Sequence, residues 1–229
     1  MAHGSRDPRP QKALETLAQK LAPLSQPSSP PILTATLECH PLPLHQQIQA
    51  IAVRLQSQGY DCLRILPLFL GAGRHVQEDL PRELQLARGE LPLEVLPTLG
   101  HNPQVKTILD HLFQKLAPQA DVYRLLVAHG SRYAGGNKDF EALARSLKAT
   151  IAYWSVEPSL TQAIKVLGPS PGKPLILQPY FLFAGGLTDA LWAQVDALKQ
   201  AQPQCPFYWG NPLAQSSLFA PLIAQILFL

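Results

Sequence analysis

The pentapeptide Ala2-His3-Gly4-Ser5-Arg6 recurs as Ala128-His129-Gly130-Ser131-Arg132. A segment repeated only for packing would repeat apolar residues, whereas this one repeats an imidazole in a glycine turn. The likeness continues in order. Pro67-Leu68-Phe69-Leu70-Gly71-Ala72-Gly73 answers to Pro179-Tyr180-Phe181-Leu182-Phe183-Ala184-Gly185. Leu44 and Ile48, after a proline-rich turn, answer to Leu160 and Ile164 after Glu157-Pro158-Ser159. Leu99-Gly100-His101-Asn102-Pro103 answers to Trp209-Gly210-Asn211-Pro212. An ordered repeat of this kind is the mark of tandem duplication. It divides the chain near Ala117-Pro118-Gln119 into halves of residues 1–117 and 118–229.

Each half alternates strand and helix signals. After the first histidine turn, Asp7 can cap and Pro8 can take the first helical position. Leu14, Leu17, Ala18 and Leu21 then keep the helical period, as do Phe140, Leu143, Ala144 and Leu147 in the second half. Residues 32–37 read as a short strand and residues 44–57 as a helix. Residues 62–70 form a nearly continuous apolar run, as a buried parallel strand does. A helix over 77–88, a strand over 93–97 and a helix over 103–116 follow. The pattern predicts an α/β fold of two flavodoxin-like half-domains, each a parallel sheet with helices on both faces. Residues 23–31 and 168–174, rich in Pro, Ser and Gly, read as surface loops. One asymmetry stands out. Tyr123-Arg124-Leu125-Leu126-Val127 precedes the second histidine turn, but only Met1 and Ala2 precede the first. The first half therefore lacks most of its first strand.

Composition narrows the function classes. The 229 residues are 46% apolar and carry a net charge of +3. That supplies a core for one large domain or two of about 100 residues. No run of Lys and Arg marks a nucleic-acid stripe, so small molecules are the expected partners, with no nucleic acid and no membrane. Cys39, Cys62 and Cys205 are scattered, with no CxxC pair, which excludes a zinc knuckle and points to a reducing cytoplasm. The histidine turn at the start leaves no room for a targeting segment before it. The apolar stretch 217–229 has helical spacing but is shorter than the roughly 20 residues a bilayer requires. It reads as a packed terminal helix.

In open parallel sheets, ligands gather at the carboxyl ends of strands. Three polar groups of the first half fall there. His3 ends the truncated first strand, Glu38 ends the strand 32–37, and His75 follows the apolar strand across Gly71-Ala72-Gly73. Two imidazoles and a carboxylate suit a borderline divalent ion such as cobalt, iron, nickel or zinc. They also offer bases near neutrality. In the second half, aligning Leu160 with Leu44 sets Trp154 opposite Glu38, and aligning the Ala-Gly pairs sets Leu187 opposite His75. Two of three polar groups have become apolar, so one working site is expected, in the first half.

His3-Gly4-Ser5-Arg6-Asp7-Pro8-Arg9, then Leu37-Glu38, then Pro67-Leu68-Phe69-Leu70 with Gly73-Arg74-His75-Val76 and Asp79-Leu80-Pro81, resembles the sirohydrochlorin chelatases, the class II or CbiX-like chelatases. The resemblance spans nearly the whole chain. It implies insertion of a divalent metal, cobalt or iron, into sirohydrochlorin on the way to cobalamin or sirohaem. It assigns His3 and His75 to the metal and Glu38 to the accompanying carboxylate, and it implies no cofactor beyond the substrate metal. Arg6 and Arg74, with Arg9 beside them, flank the site and could meet carboxylates of the macrocycle. Metal capture needs neutral imidazole, so activity is expected to fall in acid. A monomer could suffice.

The other histidines read as bland. His101 sits in a turn, His40 and His45 in or beside an exposed proline-rich loop, and His111 on a helix. His129 keeps the motif without partners, and Cys39 reads as a small buried residue. The main alternative function is a non-catalytic carrier of metal or tetrapyrrole using the same site. A two-histidine, one-carboxylate iron oxygenase and a phosphoryl transferase with a nucleophilic histidine fit less well.

Overall fold

The computed structural model describes residues 1–22, 30–117, 121–201 and 203–228. Most of the loop 23–31 and the residues at the expected division, 118–120, thus lie outside the described residues. The elements in chain order are α1 (Pro8–Leu21), α2 (Leu44–Ser57), β1 (Leu63–Ile65), α3 (Leu80–Leu86), β2 (Leu93–Val95), α4 (Gln104–Leu116), β3 (Tyr123–Ala128), α5 (Lys138–Ser146), β4 (Thr150–Tyr153), α6 (Leu160–Leu167), β5 (Leu175–Pro179), α7 (Gly186–Ala201), β6 (Phe207–Trp209) and α8 (Phe219–Phe228).

Two compact units result, residues 103–216 on one side and residues 1–102 with 217–229 on the other. They are cut differently from the halves of the repeat. The last helix of the first half, α4, packs on β5, and the last helix of the second half, α8, packs on α1. Apolar faces decide this: α4 buries Val105, Ile108, Leu109, Leu112 and Phe113, while α8 buries Phe219, Leu222 and Ile223.

The unit 103–216 carries a complete sheet. Its four parallel strands run in the order β4-β3-β5-β6, with Leu125 opposite Thr150 on one side and Leu177 on the other. Parallel central strands are covered on both faces and so read as continuous apolar runs. Leu125 to Ala128 and Leu175 to Leu177 are fully buried accordingly. The helices start and stop on local signals. Ser159 and Gln162 form a reciprocal capping box at the start of α6, and Gly168 ends it in the left-handed region.

The other unit carries a reduced sheet. Among the described residues of this unit only β1 and β2 pair as a regular ladder, Leu63 opposite Leu93. Residues 32–37, expected as a strand, form no ladder and hold a single parallel bridge, Thr36 to Ala2. The reason is the short neighbour. Ala2 N–H donates to Ala35 O at 3.0 Å, Leu37 N–H to Ala2 O at 3.0 Å, and on the other side Leu68 N–H donates to Met1 O at 2.8 Å. Met1 and Ala2 thus fill the last positions of a central strand, where β3 fills the whole length in the other unit. Behind them lies an apolar groove lined by Leu14, Leu17, Ile32, Leu33, Ile65 and Ile223 among others. The Met1 amino group donates to Leu66 O at 2.8 Å, and burial lowers its pKa from 8.0 to about 5. Thr36 turns its own N–H and C=O the other way, to the buried side chain of Gln47, which accepts at 3.1 Å and donates at 2.8 Å. That amide stands in for a strand partner and holds the segment leading to Glu38.

The region after β1 differs from the expected plain helix over 77–88. His75–Asp79 forms a widened turn in which the Leu80 N–H reaches back to the His75 carbonyl, and α3 follows at Leu80–Leu86. Pro81 explains it. It has no N–H to give to residue 77, and its ring disfavours a regular turn at that carbonyl. The equivalent helix α7 contains no proline and runs regularly.

Candidate metal site

His3 and Glu38 are neighbours through backbone pairing: the Glu38 N–H donates to the His3 carbonyl at 2.8 Å. Gly4, at φ +97°, lets the chain turn out of the strand there, and a Cβ on it would collide with the Glu38 carbonyl. The following residue, Cys39, also has positive φ (62°) and is exposed, not buried as expected. His75 arrives from the widened turn after β1. The three groups each offer one ligand atom, and these atoms lie within 4.8 Å of one another. The His3 and His75 rings meet edge to face at 4.4 Å between centroids. His3 Nε2 lies 4.0 Å from Glu38 Oε2, and His75 Nδ1 lies 3.8 Å from Glu38 Oε1.

All three side chains are between 40% and 49% exposed, so an ion and a large substrate have access. The His3 Nδ1–H donates to the Gly4 carbonyl at 3.0 Å, which leaves Nε2 with its lone pair. No other group of three or more His, Cys, Asp or Glu able to hold a metal is found among the described residues.

Around this cluster lie Asp79, noted in the sequence only within a motif, His45, expected to be bland, and Arg82 and Glu83, which sequence reading did not single out. Asp79 accepts from His75 Nδ1 at 2.9 Å with its side chain only 19% exposed. Arg82 lies 3.6 Å from Asp79 and 3.7 Å from Glu83. Glu83 accepts from both the backbone N–H and Nδ1 of His45, at 3.1 and 2.8 Å. His45, expected at the surface, is therefore a half-buried hydrogen-bond partner that ties α2 to α3. Burial raises the Glu83 pKa, but the hydrogen bonds from His45 outweigh this and bring it below the ordinary carboxylate value. The spacing of His75, Asp79 and Glu83, four residues apart each time, is the sequence signal that could have grouped them.

The arginines divide. Arg6 is exposed at the histidine turn. Arg74 is 71% exposed and pairs with Glu78 at 3.1 Å. Arg9 is engaged with Asp7, which also caps α1.

The second histidine turn has the same backbone and different company. His129 Nδ1–H donates to the Gly130 carbonyl at 2.9 Å, and Gly130 has φ +80°. Here the N–H that donates to the histidine carbonyl is that of Ser155, at 2.9 Å, while Trp154 bonds Ala128. The residue opposite Glu38 is therefore Ser155, not Trp154: the repeats run one residue out of step in this loop. Ser155 Oγ donates to the His129 carbonyl at 2.9 Å. Leu187 does correspond to His75, because Leu68 and Tyr180 make the same bond, to Met1 and Val127. The Leu99-Gly100 and Trp209-Gly210 match also shifts, since the strands pair Val95 with Ile65 and Trp209 with Leu177.

Among solved structures the chain is similar to SirB from Bacillus subtilis with Fe3+, at 18% identity and a TM-score of 0.80, covering 98% of this chain and 91% of that one. It is also similar to the sirohydrochlorin chelatase SirB from Bacillus subtilis subspecies spizizenii in complex with cobalt, at 20% identity and TM-score 0.73, covering 98% and 90%. These two likenesses carry the fold. A nearer likeness in sequence, 28% identity with TM-score 0.69 over 98% of this chain and 94% of the other, is to CbiX, described as the terminal enzyme for biosynthesis of sirohaem in denitrifying bacteria. No curated protein matches the sequence. The CbiX family profile matches residues 1–116 and again 124–228, so both histidine turns fall within matched segments, and the chain belongs to the CbiX family.

Proposed function

We propose that this chain is a sirohydrochlorin chelatase, inserting cobalt or iron into the macrocycle in cobalamin or sirohaem biosynthesis. The observation that carries the reading is the convergence of His3, Glu38 and His75 at the strand ends of a CbiX-family fold. His3 and His75 take the hydrated ion through neutral nitrogens and displace part of its water shell. Metallation requires the macrocycle to lose two pyrrole protons. Glu38, beside both rings, accepts one, and an imidazole released as the ion leaves accepts the other. Arg6 and Arg74 meet carboxylates at the rim of the substrate. The first half does the chemistry and the second half, with Ser155 and Leu187 at the matching places, supports it.

Borderline nitrogen and carboxylate donors accept both cobalt and iron, so competition between the two decides the physiological ion. The three free, scattered cysteines support work in a reducing cytoplasm. No helix among the described residues is long and apolar enough to cross a membrane. The test is anaerobic metallation of sirohydrochlorin followed by absorbance. The purified chain is expected to accelerate insertion of cobalt or iron in repeated turnovers. Binding of metal and macrocycle without turnover would identify a carrier instead.

A further inference from the structure

The widened turn brings a second carboxylate to His75. Asp79 Oδ2 stands 2.9 Å from Nδ1 of that ring, whereas the nearest oxygen of Glu38 stands 3.8 Å from the same nitrogen. A single N–H can serve only one of them well, and hydrogen bonds weaken steeply beyond about 3.2 Å. Asp79 is itself held, with Arg82 at 3.6 Å and its side chain largely covered. The repeat supplies an independent argument. The widened turn adds one residue that α7 lacks, so His75 stands where the second half has Leu187, Asp79 where it has Ala190, and the core-packed Leu80 and Leu84 where it has Leu191 and Val195. Leu191 and Val195 are 1% exposed and belong to the apolar core. The carboxylate at 79 is thus replaced together with the histidine it touches, while the apolar face beside it is kept in both halves.

We propose that Asp79 is the positioning residue for His75, holding its Nδ1–H so that Nε2 carries the lone pair offered to the metal and Glu38 stays free to receive a proton. The proposal rests on the metal-site reading above. A carboxylate behind a ligating imidazole sets its tautomer and orientation and raises its donor strength. In this role Asp79 acts through His75 and not as a ligand itself.

The experiment has two readouts besides activity. In 15N-labelled, metal-free protein, multiple-bond 1H–15N spectra report which ring nitrogen of His75 bears the proton. The wild type is expected to show the Nδ1–H form, and Asp79→Asn a mixture of both tautomers. Cobalt titration followed by absorbance is expected to give about 10- to 100-fold weaker binding for Asp79→Ala and Asp79→Asn, with Asp79→Glu recovering most of it. Circular dichroism melts establish that the variants are folded; if they are not, the wild-type tautomer decides. An Nε2–H tautomer in the wild type, or cobalt affinity within twofold of wild type in both folded variants, overturns the proposal. If cobalt binding depends on Asp79 while the wild type fails to metallate sirohydrochlorin, the positioning role stands and the chelatase reading falls.

Discussion

The two histidine turns have the same backbone and hydrogen bond, and they differ in what surrounds them. His3 has Glu38 and His75 within reach of one ion; His129 has Ser155 and Leu187 at the corresponding places. The sheets beneath differ the other way. The unit with the intact sheet lacks the two partner groups, and the unit with the His3, Glu38 and His75 cluster has a central strand of two residues. The contrast teaches that the Ala-His-Gly-Ser-Arg turn is a structural device in both halves. Chemistry depends on the side chains delivered to it by two other segments.

The largest effect should separate the two histidines. His3→Ala or His75→Ala is expected to slow metallation of sirohydrochlorin at least about 100-fold, the scale of losing a ligand or base. His129→Ala should stay within about threefold, measured by the same absorbance assay.

The two glycines behind them should separate by stability. Alanine at either position must adopt positive φ, which disfavours it. At Gly4 the added Cβ meets the Glu38 backbone; at Gly130 it meets a Val156 methyl at 2.6 Å and the Tyr153 ring, side chains that can shift. Gly4→Ala is expected to cost roughly 3 kcal/mol in urea unfolding and Gly130→Ala roughly half that.

The unequal sheets can be evened. Replacing Met1 by Tyr-Arg-Leu-Leu-Val, the run that leads into Ala128, should fill the groove and stabilise the chain by about 2 kcal/mol through apolar burial. It also removes a pH dependence. In the 229-residue chain the Met1 amine is drawn down to about 5 in the folded state against 8.0 when exposed. Between those values the unfolded chain binds the extra proton, so stability should rise with pH from about 5 to 8. The extended chain should show no such rise.

The smallest effect concerns the polar helix face. Glu83→Gln removes the anion that His45 grips and should cost about 1–2 kcal/mol at pH 7. The Glu83 pKa is lowered in the folded state, so its contribution is present above the ordinary carboxylate range and lost as pH falls through the lowered one. The gap between variant and wild type in thermal melts should therefore close in acid.

Much of this was legible in the sequence because it depends on local pattern. The helix at residues 44–57 forms over those residues, and Asp7 caps α1 through its side chain as its position suggested. The trio His3, Glu38 and His75 could be named because all three follow strand-like runs. What escaped were features set by tertiary context. Residues 32–37 have strand composition but lack a full neighbour to pair with. The one-residue offset at Ser155 is invisible until hydrogen bonds fix which N–H meets the histidine. Asp79 appeared only as part of a motif and Glu83 carried no reading, because their partners come from the widened turn before Pro81 and from the approach of α2.

The central claim is that one half of the chain handles the metal. Its most direct test is the stoichiometry of cobalt bound to purified, initially metal-free protein, by absorbance and elemental analysis. The account predicts one tightly held ion per chain, lost in His3→Ala and in His75→Ala and kept in His129→Ala. Two equivalent ions per chain, or a single ion that survives His3→Ala and disappears with His129→Ala, would contradict it.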